Sequence, residues 1–171
     1  MMQASLDGYC ADASGSNEFI FDGFGPEFNE WVMAKLHACG GHLMGRKTYG
    51  DMASYWPTAK EEIAGPMNAL PKFVFSKTLR EASWGPATIL SGELRDEVAK
   101  LKAQSGKELI AHGGASFIQA LLATGEVDEL RLVEHPIALG DGLKIFGSRL
   151  ALRRTAVEPL GKVVAKTYTR M

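Results

Sequence analysis

Cysteine, net charge and long apolar runs are all scarce in this sequence. The only cysteines among 171 residues are Cys10 and Cys39, which form no CxxC pair, so neither a disulfide framework nor a cysteine-based metal site is indicated. Lys and Arg total 19 and Asp and Glu total 20, which leaves no general attraction for nucleic acid or an acidic membrane surface. No apolar run approaches the roughly 18 residues that a membrane-spanning helix needs. We therefore expect no metal ion, no nucleic acid and no membrane among the partners of this chain.

Several common sequence signatures are missing as well. The N-terminus lacks a basic segment followed by a long apolar segment, the pattern of a secretory signal, and a cytoplasmic protein is expected. Internal repeats are absent, and so is the G-x-G-x-x-G pattern of the ordinary dinucleotide-binding fold. A chain of this length, with 46% hydrophobic and 23% charged residues, is expected to form one domain over residues 1–171 with a core of its own.

Segments with the character of strands and of helices alternate along most of the chain. Pro26 suits the first turn of a helix, Gly40 and Gly41 are predicted to end that helix, and residues 7–25 are predicted to form a long loop. The alternation indicates an α/β fold, with helices on both faces of a mostly parallel sheet and an antiparallel C-terminal hairpin at one edge. The predicted helices are 26–37, 47–55, 93–103 and 116–123, and the predicted strands are 1–6, 42–44, 72–76, 87–90, 109–112, part of 130–139, 150–157 and 163–169.

The segment Gly45-Arg46-Lys47-Thr48 follows an apolar strand and begins a helix. The backbone N–H groups and the Thr48 hydroxyl at such a helix start suit a pyrophosphate, and the Arg46 guanidinium can pair with a phosphate. The alternative is a plain strand-to-helix turn with an exposed arginine, and from this segment alone that alternative is favoured.

A second polar segment, Ser76-Lys77-Thr78, stands at the end of the next predicted strand, where open α/β sheets bind their ligands. The Ser76 hydroxyl and the cations of Arg46 and Lys77 can converge on a 2′-phosphate, which favours NADPH over NADH. Lys77 taken alone is equally well interpreted as a solvated surface lysine.

Gly113 and Gly114 separate a predicted strand from a predicted helix. Glycine allows a ligand to approach the backbone closely, and the following helix directs its positive end toward that ligand. A tight turn with no ligand is the alternative interpretation.

Four segments in order, Ser5-Leu6-Asp7-Gly8-Tyr9, 44–49, 71–76 and 112–115, together resemble the dihydrofolate reductase-like superfamily across nearly the whole chain. Within it they are most similar to stand-alone reductases related to the C-terminal reductase domain of riboflavin biosynthesis. The resemblance implies a three-layer α/β/α fold, NADPH as the cofactor, a small heterocyclic substrate and a homodimer. The cofactor-binding residues that it implies are Gly45, Arg46, Lys47, Thr48, Ser76, Lys77, Gly113, Gly114 and Ala115.

The candidate catalytic residues on the substrate side of this resemblance are Asp7, Asn29 and His112. Asp7 would line the active-site cleft and orient the substrate or a water molecule, although Asp7-Gly8 also suits a simple turn. Asn29 stands where dihydrofolate reductase has its acidic proton donor, and an amide cannot donate that proton as a carboxyl group does. His112 stands where the riboflavin domain tends to have a glutamate, and a strand-end histidine with a satisfied hydrogen bond is its alternative interpretation.

Three functions follow from the resemblance and from these departures. The first is an activity like that of 5-amino-6-(5-phosphoribosylamino)uracil reductase, and the second is a dihydrofolate reductase-like reduction of a pteridine. The third is a non-catalytic nucleotide-binding protein that keeps the phosphate contacts and lacks a proton donor. Residues 48–57 are aromatic and nearly uncharged, which suits a flat ring better than a sugar phosphate.

Overall fold

A computed structural model describes residues 1–104 and 106–171 of the chain. It divides into two compact units, the first formed by Met1–Trp31 together with Val127–Met171 and the second by Val32–Glu126. The expectation of one domain over residues 1–171 stays a prediction. In the part of the chain that the structure describes, none of the helices has the length and apolar character needed to cross a membrane.

The order of elements confirms the predicted alternation of strands and helices. The helices are α1 Pro26–Ala38, α2 Arg46–Tyr55, α3 Ala64–Ala69, α4 Leu94–Gln104 and α5 Ala115–Thr124, with short 3-10 helices at Glu18–Gly23 and Trp56–Thr58. The strands in chain order are β1 Met2–Ser5, β2 Tyr9–Ala11, β3 Cys39–Gly45, β4 Lys72–Phe75, β5 Ala87–Leu90, β6 Glu108–Ala111, β7 Glu129–His135, β8 Leu143–Lys144, β9 Leu152–Leu160 and β10 Val163–Arg170.

The second unit contains a four-stranded sheet in the order β5-β4-β3-β6, in which every pairing is parallel. His42 of β3 stands opposite Lys72 of β4 on one side and Ile110 of β6 on the other. β3 is the most buried of these strands, with Leu43 and Met44 almost inaccessible to solvent. Because the strands are parallel, their carboxyl ends meet at one edge of the sheet.

Helices connect these strands, as parallel pairing requires. α4 buries Val98 and Leu101, and α5 buries Ile118 and Leu121, so each helix has an apolar stripe at i, i+3 spacing. α5 ends as predicted at Gly125, which has φ of 82° and whose amide donates to the carbonyl of Leu122. A glycine at that position ends a helix without the steric penalty that a side chain would meet.

The prediction that Gly40 and Gly41 end the first helix is wrong. α1 ends at Ala38, and both glycines belong to β3, which begins at Cys39. A Cβ on Gly41 would lie 2.8 Å from the Phe73 ring and 3.1 Å from the Pro71 carbonyl oxygen. Gly41 therefore permits the close approach of the neighbouring strand, a role that glycine also has within sheets.

The first unit contains a second four-stranded sheet in the order β1-β7-β10-β9. β1 pairs with β7 in parallel, while β7, β10 and β9 pair antiparallel. The predicted C-terminal hairpin is confirmed: β9 and β10 form it around Gly161, which has φ of 65°, and β9 is the last strand in the order.

The predicted long loop at residues 7–25 contains regular structure that the sequence did not reveal. β2 pairs with the two-residue strand β8, far along the chain, and residues 18–23 form a 3-10 helix. Strands of two or three residues are too short to show a recognisable periodicity. Their pairing partner is also distant in sequence, so no local signal indicates the pair.

Gly23, the last residue of that 3-10 helix, lies in the core of the first unit. A Cβ at this position would lie 2.5 Å from Cγ1 of Val163 and 2.6 Å from Cε1 of His135. The ring of Phe19 packs edge-on against the same histidine at a centroid distance of 5.4 Å. The short helix therefore packs against β7 and β10 closely enough to exclude a methyl group.

We expect Gly23→Ala to lower the free energy of unfolding by about 1–3 kcal/mol, because the methyl group overpacks this contact. Urea denaturation measures the change. Gly50→Ala is the matched control: a Cβ there meets nothing within 4 Å, so the same substitution inside α2 should stabilise the protein by about 0.5–1 kcal/mol. Equal effects at the two positions would contradict the packing that we describe.

Candidate functional site

Two helices of the second unit begin where neighbouring parallel strands end. α2 follows β3 directly at Arg46, and three residues separate the end of β6 from the start of α5. The N-cap residues are Gly45 and Gly114, and neither helix start has a side-chain capping hydrogen bond. The first backbone N–H groups of both helices are therefore left for a ligand or for water.

A hydrogen bond joins the two helix starts. Oγ1 of Thr48 in α2 donates to the carbonyl oxygen of Gly113 at 2.8 Å. Gly114 has φ of 83°, and a Cβ added to it would lie 3.1 Å from the Thr48 oxygen. A Cβ on Gly45 would likewise lie 3.3 Å from Cβ of Phe117 in α5. The glycines thus permit a contact between the two turns that larger residues would hinder.

The three predicted basic side chains differ in their surroundings. Lys47 pairs with Asp51 at 3.0 Å and Lys77 pairs with Glu93 at 3.3 Å. Both pairs are exposed, and such pairs contribute only about 0–1 kcal/mol. Across residues 1–104 and 106–171, Arg46 makes neither a hydrogen bond nor an ion pair through its side chain, and it is exposed at the start of α2. Arg46 is therefore the cation of this group with no protein partner to give up.

Ser76 shapes the turn after β4. Its hydroxyl oxygen accepts hydrogen bonds from the amides of Thr78 and Leu79 at 3.2 and 2.9 Å. A serine that accepts two amides stabilises a local turn, and its hydroxyl proton stays free to donate to a ligand. The structure thus gives Ser76 a structural role, and its contact with a 2′-phosphate stays a prediction.

His112 forms a buried pair with a histidine that the sequence analysis did not single out. Nδ1 of His42 lies 2.7 Å from Nε2 of His112, and the two rings are tilted by 47° at a centroid distance of 4.8 Å. Burial, followed by the neighbouring positive charge of Lys72, lowers the pKa of His42 to about 4. Burial, followed by His42, lowers the pKa of His112 well below its usual value. Both imidazoles are therefore neutral near pH 7.

Lys72 is a second buried residue that the sequence analysis assigned no role. Its ammonium nitrogen donates to the carbonyl oxygen of Asn68 at 2.5 Å and lies 4.5 Å from the centre of the Trp84 ring. Burial lowers its pKa to about 8. The one available signal for His42 and Lys72 was a polar residue within an otherwise apolar strand segment.

Asp7 and Asn29 belong to the first unit. The carboxylate of Asp7 accepts hydrogen bonds from the Ser5 hydroxyl at 2.6 Å and from the amides of Leu139 and Gly140 at 3.1 and 2.7 Å. These donors, the Ser5 hydroxyl first, lower the pKa of Asp7 to about 2. Asn29 is exposed on α1. The structure thus gives Asp7 a turn-stabilising role, and the catalytic roles of both residues stay predictions.

The chain is similar to known proteins in sequence and in fold. A family model described as the RibD C-terminal domain matches residues 1–166. The chain belongs to this family. YyaP of Bacillus subtilis is 35% identical over 109 residues, a match that covers 61% of this chain and 57% of YyaP. The chain therefore matches less than two thirds of the length of that relative.

Solved structures of similar shape extend the family assignment to the fold. A protein of Shewanella sp. PV-4 assigned to riboflavin biosynthesis is 28% identical, with a TM-score of 0.80 over 99% of this chain and 96% of that one. The Thermotoga maritima diaminohydroxyphosphoribosylaminopyrimidine deaminase/5-amino-6-(5-phosphoribosylamino)uracil reductase is 13% identical, with a TM-score of 0.72 over 99% and 55% of the two chains. Dihydrofolate reductase of Enterococcus faecalis, solved with NADP(H), is 12% identical, with a TM-score of 0.58 over 99% and 93%. This RibD C-terminal domain family member therefore has the dihydrofolate reductase-like α/β fold.

The buried histidine pair makes stability dependent on pH. The pKa of His42 is about 4 in the folded protein against 6.5 ordinarily, so the unfolded chain binds more protons between those values. Stability is therefore lost as the pH falls from 6.5 toward 4, at up to about 1.4 kcal/mol per pH unit for each such histidine. Between pH 7 and pH 5 the free energy of unfolding, measured by urea denaturation, should fall by about 2 kcal/mol less in His42→Asn than in wild type.

The exposed His37 of α1 provides the control for this experiment. His37→Gln should follow the wild-type pH dependence. If His42→Asn did the same, the inference that the His42 ring is neutral in the fold would be wrong.

Proposed function

We propose that this chain is an NADPH-dependent reductase of a small heterocyclic compound. The observation that carries the proposal is the pair of glycine-capped helix starts, joined by the hydrogen bond from Thr48 to Gly113 and flanked by Arg46. Membership of the RibD C-terminal domain family supports the reductase class. A homodimer belongs to the proposal as an expectation from the resemblance, and a cytoplasmic location as an expectation from the sequence.

The residues present fit the phosphates of a nicotinamide nucleotide. Two helix starts without a side-chain cap offer backbone N–H groups and the positive ends of two helix dipoles. Gly114 leaves room beside the Thr48 hydroxyl that a Cβ would fill. Arg46 adds a guanidinium that can bind phosphate oxygens in a bidentate manner. Thr48, Gly113 and Gly114 would hold the turn in shape. Arg46 would favour NADPH over NADH by binding the 2′-phosphate.

NADPH, when bound, supplies a hydride for the reduction of a C=N or C=O bond. The protein's part is to hold the nucleotide, exclude water and provide a proton to the atom next to the reduced carbon. His112 stands as a neutral ring one residue before the Gly113–Gly114 turn, with its amide donating to the carbonyl of Leu43 at 2.9 Å. The ionised Asp7, with a pKa of about 2, is not a proton donor near pH 7, so its part in the reaction would be to orient the substrate or a water molecule.

The substrate class that we favour is a pyrimidine of the kind named in the Thermotoga maritima enzyme, 5-amino-6-(5-phosphoribosylamino)uracil. A pteridine is the alternative, supported by the fold shared with dihydrofolate reductase. Tyr49, in the aromatic segment after Thr48, is buried and its hydroxyl accepts the amide of Trp84 at 2.7 Å. Tyr49 therefore packs the core of the second unit, while Tyr55 of the same helix is half exposed and open to a flat ring.

A non-catalytic nucleotide-binding protein is the second candidate function. It is favoured by the ionised state of Asp7 and by the amide of Asn29, which stands where the resemblance places the acid of dihydrofolate reductase. Such a protein would bind the nucleotide through the same helix starts without turning it over. Binding and turnover must therefore be measured separately.

Titration with NADPH and NADH, followed by tryptophan fluorescence, tests the binding site. We expect saturable NADPH binding that Arg46→Ala weakens tenfold or more, since a charge-assisted hydrogen bond contributes roughly 1.5–3 kcal/mol. If Arg46 binds the 2′-phosphate, Arg46→Ala weakens the binding of NADPH and leaves that of NADH unchanged. If Arg46 binds the pyrophosphate, Arg46→Ala weakens the binding of both nucleotides equally.

Lys100→Ala is the control of equal charge change. Lys100 lies on α4 and pairs with Glu97 at 3.1 Å, and neither residue belongs to the two helix starts. The Lys100→Ala variant should bind both nucleotides as wild type does. Absence of binding for either nucleotide would overturn the proposed function.

Turnover distinguishes the two candidates. The loss of reduced-nicotinamide absorbance is measured with a ribosylamino-pyrimidine and, separately, with a dihydropteridine. We expect oxidation with the pyrimidine, and we expect Asp7→Ala to abolish it while NADPH binding is retained. Nucleotide binding without oxidation for either substrate would favour the non-catalytic protein.

A further inference from the structure

Two turns of the first unit lie side by side beyond the carboxyl ends of β1 and β7. The two strands pair in parallel, with Ser5 opposite His135 where both strands end. Immediately beyond, the amide of Leu6 donates to the carbonyl oxygen of Ile137 at 2.7 Å, and both of these apolar side chains are exposed. Because α/β folds bind ligands beyond the carboxyl ends of parallel strands, this edge is the part of the first unit best suited to a substrate.

The carboxylate of Asp7 joins the two turns. Its Oδ1 accepts a hydrogen bond from the amide of Leu139 at 3.1 Å, and its Oδ2 accepts one from the amide of Gly140 at 2.7 Å. These donors lie 132 and 133 residues further along the chain. Gly140 has φ of 75°, a conformation that glycine adopts without strain. The carboxylate therefore holds the turn that follows β7 against the turn that follows β1.

The hydroxyl of Ser5 holds that carboxylate in turn. It donates to Oδ1 of Asp7 at 2.6 Å and accepts the amide of Tyr9 at 3.0 Å. The direction is fixed, because a carboxylate that already accepts two backbone N–H groups can only accept the hydroxyl proton. Ser5 is 1% exposed, so its side chain is out of reach of a substrate. Any effect of Ser5 on a reaction must therefore pass through Asp7.

A second aspartate of the same unit shows what is special about this arrangement. Asp12 also accepts one serine hydroxyl, that of Ser14 at 2.6 Å, and two amides, those of Ser14 and Ser16 at 2.8 and 2.9 Å. All of these donors lie within four residues of Asp12, so its carboxylate closes only its own turn. Asp7 has the same set of donors but ties together two distant segments of the chain.

We propose that Ser5 is a positioning residue that acts through Asp7: it holds the carboxylate on the amides of Leu139 and Gly140 and so keeps the turn after β7 where the substrate requires it. This inference rests on the proposed function for the substrate, and on the hydrogen bonds of the first unit for the contact itself. Asp7 then orients the substrate through the shape of this edge, not through a charge placed on the reacting atoms.

NMR of the free protein tests the contact without any substrate. In Asp7→Ala the amides of Leu139 and Gly140 should exchange with solvent about threefold faster or more, because they lose a charged acceptor that is itself exposed. Ser5→Ala should change the same two amides in the same direction. Ser14→Ala is the matched control: it removes a serine hydroxyl from a carboxylate at an equal distance and should leave both amides as in wild type.

Turnover of the ribosylamino-pyrimidine measures the consequence for the reaction. We expect kcat/KM to fall about tenfold in Ser5→Ala, since a small misplacement of a substrate-positioning group lowers the rate without any contact to the chemistry. NADPH affinity should stay as in wild type, because the helix starts that we assign to the nucleotide belong to the other unit. Ser14→Ala should keep the wild-type kcat/KM, and urea denaturation establishes that each variant is folded.

Asp7→Asn distinguishes positioning from direct action on the substrate. The asparagine side chain keeps one carbonyl oxygen as an acceptor and loses the charge. If the carboxylate acts through the turn, Asp7→Asn should retain about a tenth or more of the wild-type kcat/KM, while Asp7→Ala loses activity. If Asp7→Asn is as inactive as Asp7→Ala although the amides of Leu139 and Gly140 exchange as in wild type, the charge acts on the substrate directly and the positioning role is overturned.

The remaining outcomes separate this inference from the proposed function. Unchanged amide exchange in Asp7→Ala would overturn the contact. Faster exchange in Ser5→Ala with a wild-type kcat/KM would show a role in local stability alone and would overturn the positioning role, leaving the reductase proposal intact. If wild type oxidises NADPH with neither substrate, the catalytic proposal fails, and the part of this inference that concerns turnover fails with it. The exchange of the two amides still decides in that case whether Asp7 holds the turn.

Discussion

β3 hydrogen-bonds to β4 on one side and to β6 on the other, and both pairings are parallel. This constraint brings three turns that are far apart in sequence to one edge of the sheet. Gly45 precedes α2 there, Ser76 follows β4, and Gly113 precedes α5. The hydrogen bond from Thr48 to Gly113 can form only because the register of β3 with β6 sets the two helix starts side by side. Every contact that we assign to the nucleotide depends on that register.

Two polar residues are buried inside this sheet, His42 on β3 and Lys72 on β4. His42 and Lys72 stand opposite one another in the interior of a parallel sheet, where an apolar pair would avoid the desolvation of two polar groups. Lys72 is compensated by the Asn68 carbonyl and by the Trp84 ring. Nδ1 of His42 is compensated by the ring of His112 at 2.7 Å. Local rules broken in this way tend to mark functional or strained positions, and here His42 contacts His112, the residue before the Gly113–Gly114 turn.

Much of the architecture could be predicted because helix signals are local. Pro26 begins α1 and Gly125 ends α5 as expected, and the family motifs at Gly45 and Gly113 fall at helix starts. The failures share a cause. Local signals predict Gly41 as a helix stop, although its role depends on Phe73 in the neighbouring strand, and the pairing of β2 with β8 joins segments more than a hundred residues apart. Contacts between distant segments are not encoded in local periodicity.

The sequence by itself determined the alternation of strands and helices, the family resemblance, and the segments that we propose for phosphate binding, because these rest on motifs, spacing and local geometry. Only the tertiary structure decided that Lys47 and Lys77 pair with carboxylates, that Asp7 accepts two amides from a distant turn, and that His112 lies against His42. The physical reason is that hydrogen bonds, ion pairs and desolvation act over a few ångströms in space. Strand register sets those distances, and spacing along the chain does not.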